Sequence, residues 1–355
     1  MRTNDKLNNR RFFAIVLAIV LAISVFPMTA FADTYPDTDV EMTRLKFKSG
    51  TFNLTKAAKQ KLFGYDTLQG CCAYNGYGFF ALQNRDKNKA KIVKVKLKNM
   101  KVVKVSSAKK LYHANSLTYN TRTKQLVVAN GYPDAKTITI LSPKDFTIID
   151  KVTLEMPAEV PGMTENAINE YNGINAIAYN QKRDVYVARG RKSNDFLILN
   201  PDFQPIECVI AKNKVKMTPQ GLDSYGEYTL DCQSFKGKYH YNLIIVRNWI
   251  GEVVTKYYIP IEDGLEFEEA FHNGNTFYAG FYFSTIKWDK KEELYLPKRF
   301  NYVYTLDNIK KIKNEEPVIE EETDDIEYTD TIDIDNIGID NDTDNADNAI
   351  NSELE

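Results

Sequence analysis

The sequence predicts an all-β fold, a β-propeller of five blades, and two observations carry this prediction. The first is a polar residue that recurs at the head of a short apolar strand, in steps of 46, 60, 45 and 48 residues. A period in the forties is typical of propeller blades. The five recurring positions are Gln69, Asn115, Asn175, Gln220 and Glu268. Six blades remain an alternative, in which residues 33–68 hold a degenerate unit.

The second observation is the strand pattern inside each repeat. Two β-branched runs, residues 126–130 and 137–141, are separated by a turn with the sequence Gly-Tyr-Pro-Asp. Residues 185–189 and 196–199 repeat this arrangement. Each unit therefore predicts a four-stranded meander, and stacking such sheets in a closed ring protects their edges.

The last repeat needs an edge from elsewhere in the chain, because charged residues follow where its outer strand is expected. Residues 43–48 alternate as a strand does, and we expect them to supply this edge and close the ring. Residues 55–63, ended by Gly64, predict a short helix that leads into the first blade. The sequence thus divides into an N-terminal closing segment at 33–68 and a propeller at 69–313.

The N-terminus predicts a signal peptide over residues 1–32. A basic leader precedes an apolar run at residues 12–26, and the small-x-small site Ala30-Phe31-Ala32 follows it. A transmembrane anchor is the alternative, but the run is shorter than the roughly 20 residues that span a bilayer. The mature chain carries no second apolar segment, so we expect a secreted monomer without a membrane anchor.

Charge divides the chain into a basic part and an acidic part, whose net charges nearly cancel. Residues 314–355 hold 17 acidic residues and no Lys or Arg, which predicts a disordered acidic tail. Residues 33–313 hold 42 basic and 30 acidic residues, a net charge of +12. A body of this sign favours an extracellular glycan, an anionic cell-wall polymer or a protein as partner. Nucleic acid is not expected, because no aromatic-basic recognition motif accompanies the charge.

Four cysteines are too few for a disulfide scaffold, so a hydrophobic core must stabilise the fold. We expect all four to be small buried residues. Pairing of Cys208 with Cys232, which lie in adjacent predicted blades, is the alternative.

Propeller geometry places the recurring polar residues around one mouth of the central channel. They form a candidate ring of amides with one carboxylate, beside which His113 and His272 fall. Two insertions, residues 156–172 and 284–299, are expected at the same mouth, and the second carries Trp288 and Tyr295. The candidate ligand-binding residues are therefore Gln69, His113, Asn115, Asn175, Gln220, Glu268, His272, Trp288 and Tyr295. Hydrogen bonds between blades are the alternative role for the amides, and a metal site is an alternative for His113, Asn115, Asn175 and Glu268.

The segment at residues 113–120, followed by residues 123–130 and echoed at residues 173–189, resembles secreted bacterial propellers of the NHL-like and lactonase-like group. The similarity covers about residues 65–310. It implies a propeller fold, shared by binding proteins, calcium-dependent gluconolactonases and streptogramin lyases. The lactonase metal ligands would correspond to Glu268, Asn175 and Asp223, and the lyase pair to His272 and Glu268.

The sequence lacks the catalytic motifs of several enzyme classes. The chain has no Gly-x-Ser-x-Gly, His-Glu-x-x-His, phosphate-binding or dinucleotide-binding signature. We therefore interpret the protein as a non-catalytic binding propeller, with a metal-assisted lactonase, lyase or glycan-active enzyme as the alternative. No cofactor is expected. Calcium is the ion left open, since residues 333–338 resemble part of a calcium loop in which Ile337 occupies a ligand position.

Overall fold

The structure, a computed structural model, describes residues 42–53, 55–169, 171–190, 195–234, 241–260, 265–289, 294–307 and 309. The predicted signal peptide, the acidic tail and its calcium-like segment lie outside these residues. The described residues form five sheets arranged as a five-bladed β-propeller, which confirms the predicted fold class. None of the helices described is both long and apolar enough to cross a membrane.

Two strands and a helix precede the first complete blade: β1 (Met42–Arg44), β2 (Phe47–Thr51) and α1 (Lys56–Lys61). Blade 1 consists of β3 (Thr67–Tyr74), β4 (Tyr77–Asn84), β5 (Lys89–Lys96) and β6 (Lys101–Val105). Blade 2 consists of β7 (Ser116–Asn120), β8 (Gln125–Ala129), β9 (Thr137–Leu141) and β10 (Ile148–Thr153). The short helix α2 (Glu165–Asn169) follows blade 2.

Blade 3 consists of β11 (Ile174–Asn180), β12 (Val185–Gly190), β13 (Phe196–Leu199) and β14 (Pro205–Val209). Blade 4 consists of β15 (Thr218–Tyr225), β16 (Tyr228–Ser234), β17 (Tyr241–Arg247) and β18 (Val253–Pro260). Blade 5 contributes β19 (Leu265–Asn273), β20 (Thr276–Asp289) and β21 (Leu294–Leu306). Within each blade, strands consecutive in sequence pair antiparallel.

The fourth strand of blade 5 comes from the N-terminal segment. Strand β2 pairs antiparallel with β21, with Phe47 opposite Leu306. Residues 47 and 48 of the expected edge strand take part, but β1 pairs in parallel with β18 of blade 4 instead. Leu45 separates the two strands, and its buried side chain packs in the apolar cluster between blades 4 and 5. Burial of Leu45 therefore explains why the segment divides between two sheets.

The helix α1 forms where the sequence predicts it. Thr55 caps its N-terminus, because its side-chain oxygen accepts a hydrogen bond from Ala58 N at 3.2 Å. Ala58 is the buried residue of the helix and packs in the cluster between blades 5 and 1. Gly64 follows with a φ of +74°, a left-handed conformation that glycine adopts at little cost.

The core of the protein lies between blades rather than in one central mass. Each inner strand contacts the inner strands on both sides, and β19 contacts β3 to close the circle. Separate apolar clusters fill the spaces between consecutive blades. All four cysteines are free: Cys71, Cys72 and Cys232 are buried and Cys208 is half-buried. Cys208 and Cys232 belong to different clusters, so the alternative disulfide is not formed.

A truncation tests whether β2 stabilises the ring. A chain that begins at residue 55 lacks β1 and β2 and leaves β21 as an open edge, so we expect its unfolding temperature to fall by at least about 10 °C, or its soluble expression to fail. A matched chain that begins at Met42 keeps every described strand and should unfold like the mature protein. Thermal unfolding followed by circular dichroism measures both, and equal stability of the two chains would contradict a closing role.

Candidate functional site

The recurring polar residues occupy equivalent places in the fold. Gln69, Asn175, Gln220 and Glu268 each lie at a shift of register, a β-bulge, between an inner strand and the second strand of its blade. Asn115 directly precedes β7, the inner strand of blade 2. All five positions lie at the end of the ring where the inner strands begin, which we call the upper mouth. The sequence repeat therefore marks a real structural repeat.

The bulge in β19 brings Glu269, rather than Glu268, into the centre of the ring. The Glu269 side chain is fully buried and accepts hydrogen bonds from three other blades. Cys71 N and Leu117 N (3.3 Å) donate to one carboxyl oxygen, and Leu222 N donates to the other at 3.3 Å. One side chain of blade 5 thus binds the inner strands of blades 1, 2 and 4.

Ser116 extends this network to the remaining blade. Its hydroxyl lies within hydrogen-bond distance of Glu269 Oε1 and accepts a hydrogen bond from Ile177 N at 3.1 Å. Ile177 O lies 3.0 Å from the same hydroxyl. Glu269 and Ser116 together, which we call the hub, therefore link the inner strands of all five blades.

Two glycines make room for the hub. A Cβ atom on Gly221 would collide with the side chain of Glu269, and one on Gly70 would lie 2.6 Å from Leu117 N. Only glycine allows the inner strands to approach this closely. Both glycines directly follow a bulge residue, Gln220 and Gln69 respectively.

Burial raises the pKa of Glu269 well above its usual value, while the hydrogen bonds from Cys71 N, Ser116 and Leu117 N act in the opposite direction. The Ser116 hydroxyl has one proton and faces two acceptors, Glu269 Oε1 and Ile177 O. A protonated Glu269 resolves this competition, because it donates to Ser116 and Ser116 then donates to Ile177 O. The neutral carboxyl therefore completes the hydrogen-bond chain.

The amides of the predicted ring differ in how they are bound. Gln69 Nε2 donates to Leu68 O at 2.7 Å, Gln220 Nε2 donates to Glu266 Oε1 at 3.1 Å, and Asn175 Oδ1 accepts from Arg189 Nε at 3.3 Å. Asn115 is half-buried, and its side chain makes no hydrogen bond to the described residues. Of these three contacts, the one between Gln220 and Glu266 joins two blades, as the alternative role of the amides requires, whereas Gln69 and Asn175 bond within their own blades.

Glu268 is buried, and its Oε1 atom has no hydrogen-bond partner in the described part of the chain. Burial, followed by the charge of Glu266, raises the pKa of Glu268, while Arg85 lowers it. Arg85 also acts on His113, and with burial it lowers the pKa of that histidine to about 4. At neutral pH His113 is therefore an uncharged imidazole near the Arg85 side chain.

A second tier of polar residues, which the sequence did not predict, lies at the upper mouth, where the second strands of the blades end. Gln83, Arg189 and Gln233 are all at least nine-tenths buried. Each has one side-chain atom without a partner among the described residues: Gln83 Oε1, Arg189 Nη2 and Gln233 Oε1. They lie opposite different positions of the inner strands, Thr67, Ala176 and Pro219, so the repeat gives no common sequence signal for them.

A buried charge network holds the second tier in place. Asp231 accepts from Arg189 Nη1 at 2.6 Å, from Gln233 Nε2 at 2.7 Å and from Arg247 Nε at 3.3 Å. Burial lowers the pKa of Arg189, and Asp231 opposes this shift. Two guanidinium groups share one carboxylate, so the network keeps a net positive charge beside the free Arg189 Nη2 atom.

His272 lies away from the upper mouth, although the sequence placed it beside an inner-strand head. It is four residues beyond Glu268, which corresponds to roughly 13 Å along a strand. Its Nδ1 atom lies 2.8 Å from Asp223 Oδ2. The structure therefore does not bring His272 to Glu268, and it commits Asp223 to His272. Among the described residues, no group of three or more His, Cys, Asp or Glu side chains could hold a metal ion.

The predicted insertion at residues 284–299 is a ribbon rather than a loop. The strands β20 and β21 continue for six residue pairs beyond the pair Leu265–Phe283, to Asp289 opposite Leu294. At about 3.3 Å per residue this ribbon projects roughly 20 Å past the start of β19. Trp288 and Tyr295 are partners in its backbone register. The pairing follows from the many β-branched and aromatic residues in both segments.

The insertion after blade 2 extends outward from the ring. Met156, Met163 and Tyr171 pack against the apolar cluster between blades 2 and 3. Pro161 O accepts a hydrogen bond from Cys208 N, on the outer strand of blade 3, at 2.7 Å. This segment therefore covers the outer side of the junction between two blades.

Comparison with known proteins assigns the chain to no family. No protein-family model matches the chain, and no curated protein matches it. Similar solved structures include the β-propeller domain of Cps50 (Swd1) from Myceliophteria thermophila, at 12% identity and a TM-score of 0.38 over 71% of this chain and 89% of that one. A member of the DUF4221 family from Bacteroides vulgatus aligns at 11% identity and a TM-score of 0.41, over 75% and 98% of the two chains.

Hydrazine synthase from Kuenenia stuttgartiensis aligns at 8% identity and a TM-score of 0.38 over 67% of this chain. The alignment spans 63% of the synthase chain, less than two thirds of its length. We draw no functional conclusion from likenesses at this level.

Two variants at one position test the hub. Glu269→Leu leaves the buried N–H groups of Cys71, Leu117 and Leu222 without an acceptor, so we expect a loss of about 3 kcal/mol or more in the free energy of unfolding. Glu269→Gln keeps a carbonyl acceptor for Cys71 N and Leu117 N and a donor to Ser116, and it leaves only Leu222 N without an acceptor, so we expect a smaller loss of about 1–2 kcal/mol. Urea unfolding measures both, and equal losses would contradict the hub.

The pH dependence gives an independent readout of the same residue. The raised pKa of Glu269 means that the folded protein keeps a proton that the unfolded chain loses above its usual value of 4.5. The stability contribution is thus complete below pH 4.5 and declines as pH rises towards the pKa of the folded state. Glu269→Gln should flatten this decline in urea unfolding between pH 4.5 and 8, whereas an unchanged slope would show that the carboxyl group is ionised in the fold.

Proposed function

We propose that this protein is a secreted, non-catalytic binding propeller that recognises an extracellular glycan at the upper mouth. One observation carries the proposal. Four blades each place a buried polar atom without a partner in the described structure at this mouth: Gln83 Oε1, Arg189 Nη2, Gln233 Oε1 and Glu268 Oε1. The predicted signal peptide supports secretion.

The energetics of these four atoms favour a ligand. A buried polar atom without a hydrogen bond costs about 1–3 kcal/mol, and native proteins contain few such atoms. Three of the four are carbonyl or carboxyl oxygens, and the fourth is a guanidinium N–H donor. Sugar hydroxyls both donate and accept, so adjacent hydroxyls of one sugar ring can satisfy both kinds of atom.

The ribbon of blade 5 supports a glycan over a smaller polar ligand. It carries Trp288 and Tyr295 in register, beyond the start of β19. Aromatic residues at a recognition site combine apolar area with a polar edge, a combination suited to the faces of sugar rings. A glycan extending out of the upper mouth would reach this ribbon.

The alternative of a metal-assisted lactonase or lyase has less support. Its metal set needs Glu268, Asn175 and Asp223 at one point, but Asn175 accepts from Arg189 and Asp223 pairs with His272. Its lyase set needs His272 near Glu268, which lies four residues away along β19. Binding without a bound cofactor is therefore the function that this geometry favours.

Screening the mature chain on an array of bacterial and plant cell-wall oligosaccharides tests the proposal. Glu268→Leu removes an unpaired buried carboxyl group, so we expect glycan binding to weaken at least about tenfold while the unfolding temperature stays equal or rises. Titration calorimetry with the best array ligand measures the affinity.

Glu227→Leu is the matched control, because Glu227 is an acidic residue in the β15–β16 turn at the opposite end, bound to Lys182 and Arg183 at the surface. Its loss should leave glycan affinity unchanged. Absence of array binding, or unchanged affinity in Glu268→Leu, would refute a glycan site at the upper mouth.

A further inference from the structure

The positive charge of the body is concentrated in one blade. Between residues 56 and 110 the chain has 14 basic and 2 acidic residues, a difference equal to the entire net charge of residues 33–313. Of these 14 side chains, 11 are exposed and 3 are half-buried. None of these 14 basic side chains forms an ion pair with a described residue. Blade 1 with α1 is therefore a strongly basic surface on an otherwise balanced body.

Four lysines on the outer strands of blade 1 form a compact group. Lys94 lies opposite Lys104, and Lys96 lies opposite Lys101, in the pairing of β5 with β6. A register shift between these pairs accommodates an additional residue, Val103, so that all four lysines share one face of the sheet. We call this group the lysine square.

The lysine square works against the stability of the fold. Like charges placed directly opposite one another on paired strands are destabilising. Burial, together with the charge of Lys104, lowers the pKa of Lys94, which shows that the ammonium groups disfavour one another here. No acidic side chain of the described structure forms an ion pair with the square. Pairing of the two strands therefore gives no reason for this arrangement.

Neighbouring groups hold two of these lysines in defined positions. Lys94 Nζ lies 4.3 Å from the centre of the Tyr77 ring, a cation–π contact. Lys104 Nζ donates a hydrogen bond to Lys144 O of blade 2 at 2.8 Å. The charges are thus partly ordered before any partner binds, which reduces the entropy lost on binding.

The spacing and chemistry of the square indicate the kind of partner. Opposite residues on paired strands are about 5 Å apart and alternate residues along a strand about 7 Å apart, so the square offers a regular grid of charge. All four residues are lysines, which bind phosphate as point charges, whereas planar carboxylates are matched best by the arginine fork. A groove of about 420 Å³, lined by Tyr77, Lys96, Lys98 and Tyr278 among others, adjoins the square.

We propose that the lysine square binds a phosphodiester-linked polymer of the cell envelope, at a site separate from the upper mouth. Lys96 and Lys101 flank the turn between β5 and β6, at the end of blade 1 opposite the mouth. Alternating phosphates of the polymer contact the lysines, and its neutral linkers lie along the groove. Binding there would hold the secreted protein at the cell surface and leave the upper mouth open.

The experiment compares two variants of the full mature chain with equal charge. The test variant combines Lys94→Gln, Lys96→Gln, Lys101→Gln and Lys104→Gln. The control variant combines Lys124→Gln, Lys136→Gln, Lys151→Gln and Lys216→Gln, which are exposed lysines outside blade 1. The probe is purified poly(glycerol phosphate), immobilised and titrated at 50 and 200 mM salt.

We expect the test variant to bind at least about tenfold more weakly than the wild type, with a slope of log affinity against log salt that is smaller by about 3. The control variant should lose less than about threefold. The unfolding temperature of the test variant should equal or exceed that of the wild type, because repulsion is removed, so weak binding cannot be attributed to misfolding.

Three results would overturn the proposal. The first is absence of binding by the wild type, and the second is an equal loss in both variants, which would indicate diffuse attraction by net charge. The third is tighter binding of polygalacturonate or of single-stranded DNA that the test variant loses and the control variant keeps, which would assign the square to a polycarboxylate or a nucleic acid. Each outcome is independent of glycan binding at the upper mouth, since Glu268 is unchanged in both variants.

Discussion

A single buried carboxyl group sets the geometry of the ring. Glu269 reaches from blade 5 to the inner strands of three other blades, and Ser116 carries the network to the fourth. These contacts require all five inner strands to lie within hydrogen-bond distance of a few central atoms. The glycines at 70 and 221 and the bulges beside them follow from this requirement, because ordinary side chains would keep the strands apart.

The hub also separates two chemical environments along the axis. On one side, Glu268 and the second tier present polar atoms that lack partners in the described structure. On the other side, His272 and Asp223 satisfy one another. The proposed recognition at the upper mouth and the stability of the ring thus involve neighbouring residues of one strand, Glu268 and Glu269, which have different roles because a bulge divides them.

The sequence was sufficient for the architecture, since a polar residue with a period in the forties marked the start of each blade. The repeat marked four positions that are β-bulges in the structure, but nothing in the sequence identified them as bulges. This is why Glu268 rather than Glu269 was predicted to face the centre of the ring. A bulge reverses the direction of the next side chain, and that reversal has no signature in one sequence. Gln83 and Gln233 lie opposite non-equivalent residues of the inner strands, Thr67 and Pro219, and the pairing of Lys94 with Lys104 likewise depends on a register that only coordinates give.

The pairing of Phe47 with Leu306 affects the order in which the chain can fold. A chain that leaves the ribosome, or crosses a membrane, from its N-terminus exposes β2 long before the strand that will bind it. Contacts between such distant segments are slow to form, and blade 5 has no outer edge until β21 arrives. The ring therefore cannot close until β21 has been made, so blade 5 is completed after the other four blades.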